Sequence, residues 1–357
     1  MPPQPEQPVL QPTVPAAAVP APAAATAKWS AAPLPQPNNR AAPQPMSTPL
    51  WSPDGRSLVV HADNAVFLPT LPDGAFTMIY VDPPFNTGRS QRRQQTTMVR
   101  STDGTGDRVG FKGRSYSTVK GLLSSYDDAF EDYWAFLEPR LAEAWRLLAD
   151  DGTLYVHLDY REVHYAKVML DALFGRDCFL NEIIWAYDYG GRAKNRWPAK
   201  HDNILVYVKN PAAYHFDNAE VDREPYMAPG LVTPEKVALG KLPTDVWWHT
   251  IVSPTGKEKT GYPTQKPEGL LRRTVAASSR EGDWVLDFFA GSGTLGAVAA
   301  KLNRKFVCVD ANPQAIDVMA KRLGHAADLV PADAVAAALA AADAGTAAVG
   351  ADAAHPV

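Results

Sequence analysis

Apolar positions along the chain fall into short runs, unbroken or alternating, separated by stretches in which they recur every three to four residues. The runs at 57–60, 77–81, 153–158, 182–187, 204–209, 284–288 and 305–309 read as strands. Helical spacing covers 131–148, 161–174, 268–278, 294–302 and 313–323. Several of the strands are apolar almost throughout and so need cover on both faces. Their alternation with helices therefore predicts an α/β fold with a doubly wound, mainly parallel sheet.

Both ends depart from this rhythm. Residues 1–50 hold 14 of the 32 prolines in the 357-residue chain, and residues 326–357 are half alanine, 16 of 32. Proline removes backbone donors and neither segment offers much to bury. The expectation is a disordered Pro/Ala-rich arm at 1–50, a folded domain at 51–325 and an Ala-rich tail at 326–357 that builds no core. Within the domain, residues 211–263 are rich in proline and aromatic residues and lack periodicity, which predicts an irregular insertion.

Charge changes the picture only locally. The net value of -4 conceals a basic stretch, 89–120, with eight basic and two acidic side chains, followed by 121–151 with eight acidic and two basic ones. The basic stretch is a candidate surface for a polyanion and reads as a loop. Cys178 and Cys308 lie far apart without Cys-x-x-Cys spacing, so neither a disulfide framework nor a metal site is expected, and a reducing, cytoplasmic setting fits. No window is apolar enough to predict a membrane span.

Two segments carry chemistry. In 285–296 an apolar strand runs through Asp287, Phe288, Phe289 and Ala290 into Gly291, Ser292, Gly293, Thr294 and Gly296, then into a helix. Glycines let a ligand approach the backbone, and a helix N-terminus offers free N–H groups. A second strand ends in Asp310, an acid able to bind ribose hydroxyls. The pattern admits a nicotinamide-dependent oxidoreductase, although Asp287 would lie close to a pyrophosphate.

The other segment is an apolar strand, 78–81, ending in Asp82, Pro83, Pro84 and Phe85. Prolines donate no N–H, so their carbonyls can face outward as acceptors. The Asp82 carboxylate and a proline carbonyl could accept both hydrogens of an exocyclic amine while Phe85 stacks on its ring.

Together, Asp82-Pro83-Pro84-Phe85 and the segment from Asp287 to Thr294 resemble the catalytic and cofactor motifs of S-adenosylmethionine-dependent DNA amino-methyltransferases, which modify adenine N6 or cytosine N4. With the catalytic motif upstream, the order is similar to the circularly permuted β class, and the resemblance spans residues 57–323. It implies a class I methyltransferase sheet with S-adenosylmethionine as cofactor. Asp63 or Asn64 would meet the adenine, Asp287, Phe288, Ala290 and Gly291–Thr294 the methionine side, Asp310 the ribose and Lys266 the carboxylate. Phe85 stands where that class more often has Tyr.

Such chemistry on a base within double-stranded DNA requires flipping. Arg89, Arg92 and Arg93 after the catalytic turn, and Arg192, Lys194, Asn195 and Arg196 in a second basic loop, are the candidate duplex contacts, with 186–262 the candidate target-recognition insertion. An acid opening the catalytic turn goes with adenine in the family resembled, and cytosine N4 stays as the alternative. A non-catalytic DNA-binding scaffold is a further one. The resemblance also allows a homodimer and a cognate nuclease on a separate chain.

Overall fold

The computed structural model describes residues 50–85, 133–190, 193–253 and 255–341, together with the backbone of strand segments at 91–100, 108–109 and 115–126. In chain order these form β1 (Ser57–His61), α1 (Asn64–Phe67), β2 (Phe76–Val81), β3 (Gln91–Arg100), β4 (Arg108–Val109), β5 (Ser115–Tyr126), α2 (Tyr133–Leu147), β6 (Leu148–Leu158) and α3 (Val163–Phe174). Then come β7 (Phe179–Ala186), β8 (His201–Val208), α4 (Pro234–Leu239), β9 (Val246–Trp248), α5 (Glu268–Ser278), β10 (Trp284–Asp287), α6 (Thr294–Lys301), β11 (Lys305–Asp310), α7 (Pro313–Leu323) and β12 (Ala327–Val330).

Nine of the strands make one sheet in the order β12-β1-β11-β10-β2-β6-β8-β7-β9. Neighbours from β12 through β6 are parallel, β8 is antiparallel to both β6 and β7, and β9 is parallel to β7. The expected α/β class and mainly parallel sheet are present. The chain's first strand, β1, lies next to β11, so the glycine-turn half of the sheet is completed by both ends of the folded region, as the permuted order requires.

The period-two alternation of strand side chains divides the core into two layers. Val60, Ile79, Val81, Leu154, Val156, Leu286 and Val309 face α2 and α3, meeting Leu137, Leu141, Ala166 and Leu170. Val59, Met78, Tyr80, Tyr155, Val285 and Cys308 face the other way, toward α5, α6 and α7, where Leu271, Val275, Leu295, Ile316 and Met319 pack. Connections leaving β10 and β2 thus go to opposite faces. This switch point opens a crevice beyond the carboxyl ends of those two neighbouring strands.

Two expectations are corrected. The alanine-rich tail does build core: Ala327–Val330 pairs in parallel with β1, and the helix at 332–341 buries Val335 while Leu339 packs on the same layer. Alanine has the best helix propensity, and Val335 and Leu339, four residues apart on this helix, suffice for one apolar stripe beside Val330 of β12. The basic stretch expected as a loop contains β3, which pairs antiparallel with β5, with a register shift between Gln94 and Thr96. The candidate target-recognition insertion, 186–262, contains the strand expected at 204–209, here β8, and also β9, both within the main sheet, so its parts outside the scaffold are 187–200, 209–245 and 249–262. Among the described residues, no helix is long and apolar enough to cross a membrane.

Truncation after residue 325 is expected to expose β1 as a sheet edge and to remove Val330 and Val335 from the core. The expected loss is about 3 kcal/mol, the order of two buried valines, read as a lowered melting temperature against the full chain.

Candidate functional site

Four parallel strands bring polar residues to the same carboxyl edge. β1 leads to Asp63 and Asn64, β2 to Asp82, β10 ends in Asp287 and β11 in Asp310, and all five line one cavity of about 320 Å³. That volume lies at the lower end of the range for small-molecule sites, about 300–1,000 Å³.

Local hydrogen bonds set these groups. Asp63 caps α1 by accepting from Ala65 N–H (2.9 Å). The buried Asn64 donates from Nδ2 to the Phe288 carbonyl (2.7 Å) and so ties the end of β1 to the end of β10. Asp287 accepts from Phe289 N–H (3.0 Å). Asp310 accepts from Gly291 N–H (2.8 Å) and Asn312 N–H (2.8 Å), which draws the glycine turn onto β11. The Thr294 hydroxyl donates to the Lys266 carbonyl (3.1 Å), closing the segment before α5 over the turn.

The two turn glycines do different things. Gly291 (φ 51°) lines the cavity, and a Cβ there would meet the Tyr262 ring at 3.1 Å. Gly293 (φ 69°) was expected to face the ligand, but it does not line the cavity. A Cβ on it would stand 2.8 Å from Met319 Cγ and 2.9 Å from Leu323 Cδ1, so glycine lets the start of α6 settle against α7.

The wall is electronegative. Burial, reinforced by Asp82 and Asp310, holds the Asp287 carboxyl well above the usual range, and burial likewise raises Asp310. Burial, then Asp82, raises the Tyr80 hydroxyl, and burial, then Asp310, raises that of Tyr262. Lys266 is the cation set among these groups. It pairs with Asp82 Oδ2, and its ammonium lies 5.0 Å from the Phe85 ring centroid. The other Asp82 oxygen, Oδ1, is buried with no hydrogen-bond partner among the described residues. A ligand that brings positive charge to Asp287 and Asp310 and an N–H to Asp82 answers each of these local deficits. The cofactor implied by the resemblance has that charge on its sulfonium and amino groups.

Of the residues singled out from sequence, Asp63, Asn64, Asp82, Pro83, Pro84, Phe85, Lys266, Asp287, Phe288, Ala290, Gly291, Ser292, Thr294 and Asp310 line this one cavity. Sequence reasoning missed Tyr80, Phe136, Arg140, Tyr262 and Asn312. Tyr80 shares a strand face with Asp82, two residues on, a period that could have found it. Arg140 stacks over Phe136, four residues earlier on α2, at 4.0 Å and donates to Asn64 Oδ1 and to Asp63 Oδ1 (3.1 Å). Only the tertiary fold brings α2 to that edge.

Lys194, Asn195 and Arg196 are exposed in the loop between β7 and β8. β7 runs in the same direction as β6, so this loop leaves the sheet at the edge that carries the cavity. Trp197 beside them is 95% exposed. Arg92 and Arg93 lie on β3, where only backbone is described, and Arg89 and Arg192 fall outside the described residues.

The sequence profile of a family described as DNA methylase, of the N6/N4 methyltransferase type, matches residues 76–322. Type II methyltransferase M.HpaI of Haemophilus parainfluenzae is 30% identical over 258 residues, 72% of this chain and 70% of that protein. DNA adenine methyltransferase YhdJ of Escherichia coli K12 is 30% identical over 274 residues, covering 74% and 82%. The solved structure of the PvuII DNA methyltransferase, described as cytosine-N4-specific, superposes with a TM-score of 0.51 at 15% identity, covering 74% of this chain and 86% of that one, and so shares the fold.

Two outcomes are expected from this geometry. Gly293→Val should destabilise the ligand-free protein by about 2–5 kcal/mol, from a branched residue at positive φ and the clash with Met319 and Leu323, visible in thermal melts without any ligand. For Asp287, the unfolded carboxyl ionises first as pH rises past about 4. Stability therefore falls from that point until the folded carboxyl also ionises. Asp287→Asn, which keeps an acceptor for Phe289 N–H, should raise the melting temperature above wild type at pH 8, with the difference vanishing below pH 4.

Proposed function

The chain belongs to the DNA methylase family, S-adenosylmethionine-dependent enzymes that methylate exocyclic amines of DNA bases at adenine N6 or cytosine N4, and from that premise we propose that this enzyme transfers the methyl group to N6 of an adenine turned out of the duplex. The observation that carries the reading is the Asp82-Pro83-Pro84-Phe85 turn at the cavity wall, with Asp82 Oδ1 buried and without a hydrogen-bond partner among the described residues. The acid at its first position, which goes with adenine in the family resembled, and the likeness to a protein named a DNA adenine methyltransferase favour adenine over cytosine.

Adenine N6 is a weak nucleophile because its lone pair is delocalised into the ring. Asp82 Oδ1 and the Pro83 carbonyl accept its two hydrogens, which turns the lone pair toward the methyl donor. Lys266 on Oδ2 keeps the carboxylate oriented while leaving Oδ1 to the amine. Bound S-adenosylmethionine supplies the methyl group on a sulfonium, and the buried acids Asp287 and Asp310 favour that positive charge and the cofactor's polar groups. Asp82 takes the proton that the amine sheds. Positioning is the main contribution, worth up to about 7–11 kcal/mol in well-oriented systems.

Flipping the target nucleotide costs a few kcal/mol, roughly. Stacking on Phe85 returns about 1–3 kcal/mol of that. Lys194 and Arg196, with Asn195 between them, are placed to hold phosphates or read a base edge from the loop at the same sheet edge. The loops of 186–262 are the proposed recognition region.

Incubation of the protein with labelled S-adenosylmethionine and unmethylated DNA, followed by nucleoside mass spectrometry, should give N6-methyladenine. N4-methylcytosine would overturn the base assignment. Asp82→Ala should lower turnover by at least about 100-fold while calorimetric binding of S-adenosylmethionine persists, since the carboxylate aligns the amine more than it holds the cofactor.

A further inference from the structure

A buried polar chain runs behind the catalytic turn. The Tyr80 hydroxyl lies 2.6 Å from His157 Nδ1, His157 Nε2 lies 3.3 Å from Asp202 Oδ2, and the Tyr187 hydroxyl donates to Asp202 Oδ1 (3.0 Å). His157 is fully buried, and Tyr80 and Asp202 nearly so. A neutral imidazole satisfies both contacts when Nε2 donates to Asp202 and Nδ1 accepts from Tyr80. Burying three polar side chains in a core, with a half-buried Tyr187 beside them, is costly unless each is bonded, and here each link is made.

The ends of the chain matter. Tyr80 is part of the cavity wall, two residues before Asp82. The His157 ring lies 5.8 Å from the Phe85 ring at 31° between planes, and Trp185 meets it edge-on at 5.6 Å. Tyr187 and Asp202 are the two stems of the basic loop between β7 and β8, which is closed by Tyr187 N–H donating to the Lys200 carbonyl (2.9 Å). One set of hydrogen bonds thus joins the stems of the proposed DNA-contacting loop to the ring beneath the base-stacking residue.

We propose that His157 is a positioning residue for methyl transfer: its imidazole, suspended between Tyr80 and Asp202, sets the tilt of Phe85 against which the flipped base stacks and ties that tilt to the loop that engages DNA. This rests on the reading of Phe85 as the stacking residue. Freed from its polar links the ring can rotate, Phe85 follows it, and the amine no longer sits squarely on Asp82. The cofactor side of the cavity, built from β10 and β11, is untouched. The effect falls on kcat rather than on cofactor affinity.

The test compares full-length wild type with His157→Phe, which keeps a flat ring but loses both hydrogen bonds, and Tyr187→Phe, which removes one hydroxyl outside the cavity. Tritiated S-adenosylmethionine and plasmid DNA from a methylation-deficient host give kcat and KM, and calorimetry gives the Kd of S-adenosylhomocysteine. Expected are a loss in kcat of about 10- to 100-fold for His157→Phe and a smaller loss in the same direction for Tyr187→Phe, with cofactor KM and Kd within about twofold of wild type. A kcat within about twofold of wild type in both variants, or cofactor affinity falling in step with kcat, overturns the proposal. If His157→Phe does not fold, Tyr187→Phe decides alone. Nucleoside analysis of the wild-type product is read separately: N4-methylcytosine there removes the adenine reading and leaves His157 to be judged on kcat, whereas N6-methyladenine with unchanged variants removes the His157 proposal alone.

Discussion

Three carboxylates, Asp82, Asp287 and Asp310, are held together at one edge of a sheet with, among the described residues, too little positive charge to balance them. Parallel strands that end side by side force this proximity, and burial makes it unfavourable, as the raised Asp287 and Asp310 carboxyls record. The rest of the site is arranged around that cost. Backbone N–H groups of Phe289, Gly291 and Asn312 point at the acids, Lys266 holds one oxygen of Asp82, and Arg140 reaches over from α2 to Asp63 and Asn64. In the proposed reading a cationic cofactor completes the balance, so the groups that burden the fold favour the ligand.

The sheet gives each half of the proposed reaction its own strands. β10 and β11 form the proposed cofactor side, and β2 carries the proposed catalytic turn beside them across the switch point. Beyond β6 the antiparallel β8 and the returning β7 present a basic loop at that same edge. In the proposed reading, contact with DNA and contact with cofactor are thus spaced across one sheet. The buried chain from Tyr187 through Asp202 and His157 to Tyr80 is the polar link that crosses between them.

Much of this was legible in the sequence because strands apolar on both faces and glycine turns leave local patterns. The α/β class, the order of the two motifs and most of the cavity-lining residues follow from runs such as 78–85 and 285–294, where chemistry and secondary structure share one short segment. The tail was misjudged because a composition that is half alanine hides how well a few spaced apolar residues, Val330, Val335 and Leu339, serve once a sheet edge and a helix-sized gap exist to receive them. The basic stretch was misjudged because the pairing of β3 with β5 is non-local and its residues lack a clean period.

What the sequence by itself determined is what depends on neighbours in the chain: the Asp82-Pro83-Pro84-Phe85 turn, the glycine turn, the family to which both belong, and the alternation that divides the core into two layers. What only the tertiary structure decided depends on groups far apart in sequence. Gly293 faces Met319 and Leu323 and not the cavity, Lys266 pairs with Asp82 across 184 positions, and Arg140 closes the rim from a helix with no motif of its own. His157 comes to lie beneath Phe85 in the same way. The physical reason is that charge pairing, burial and close packing act through space, and a linear pattern records only the contacts a residue makes with its own strand or helix.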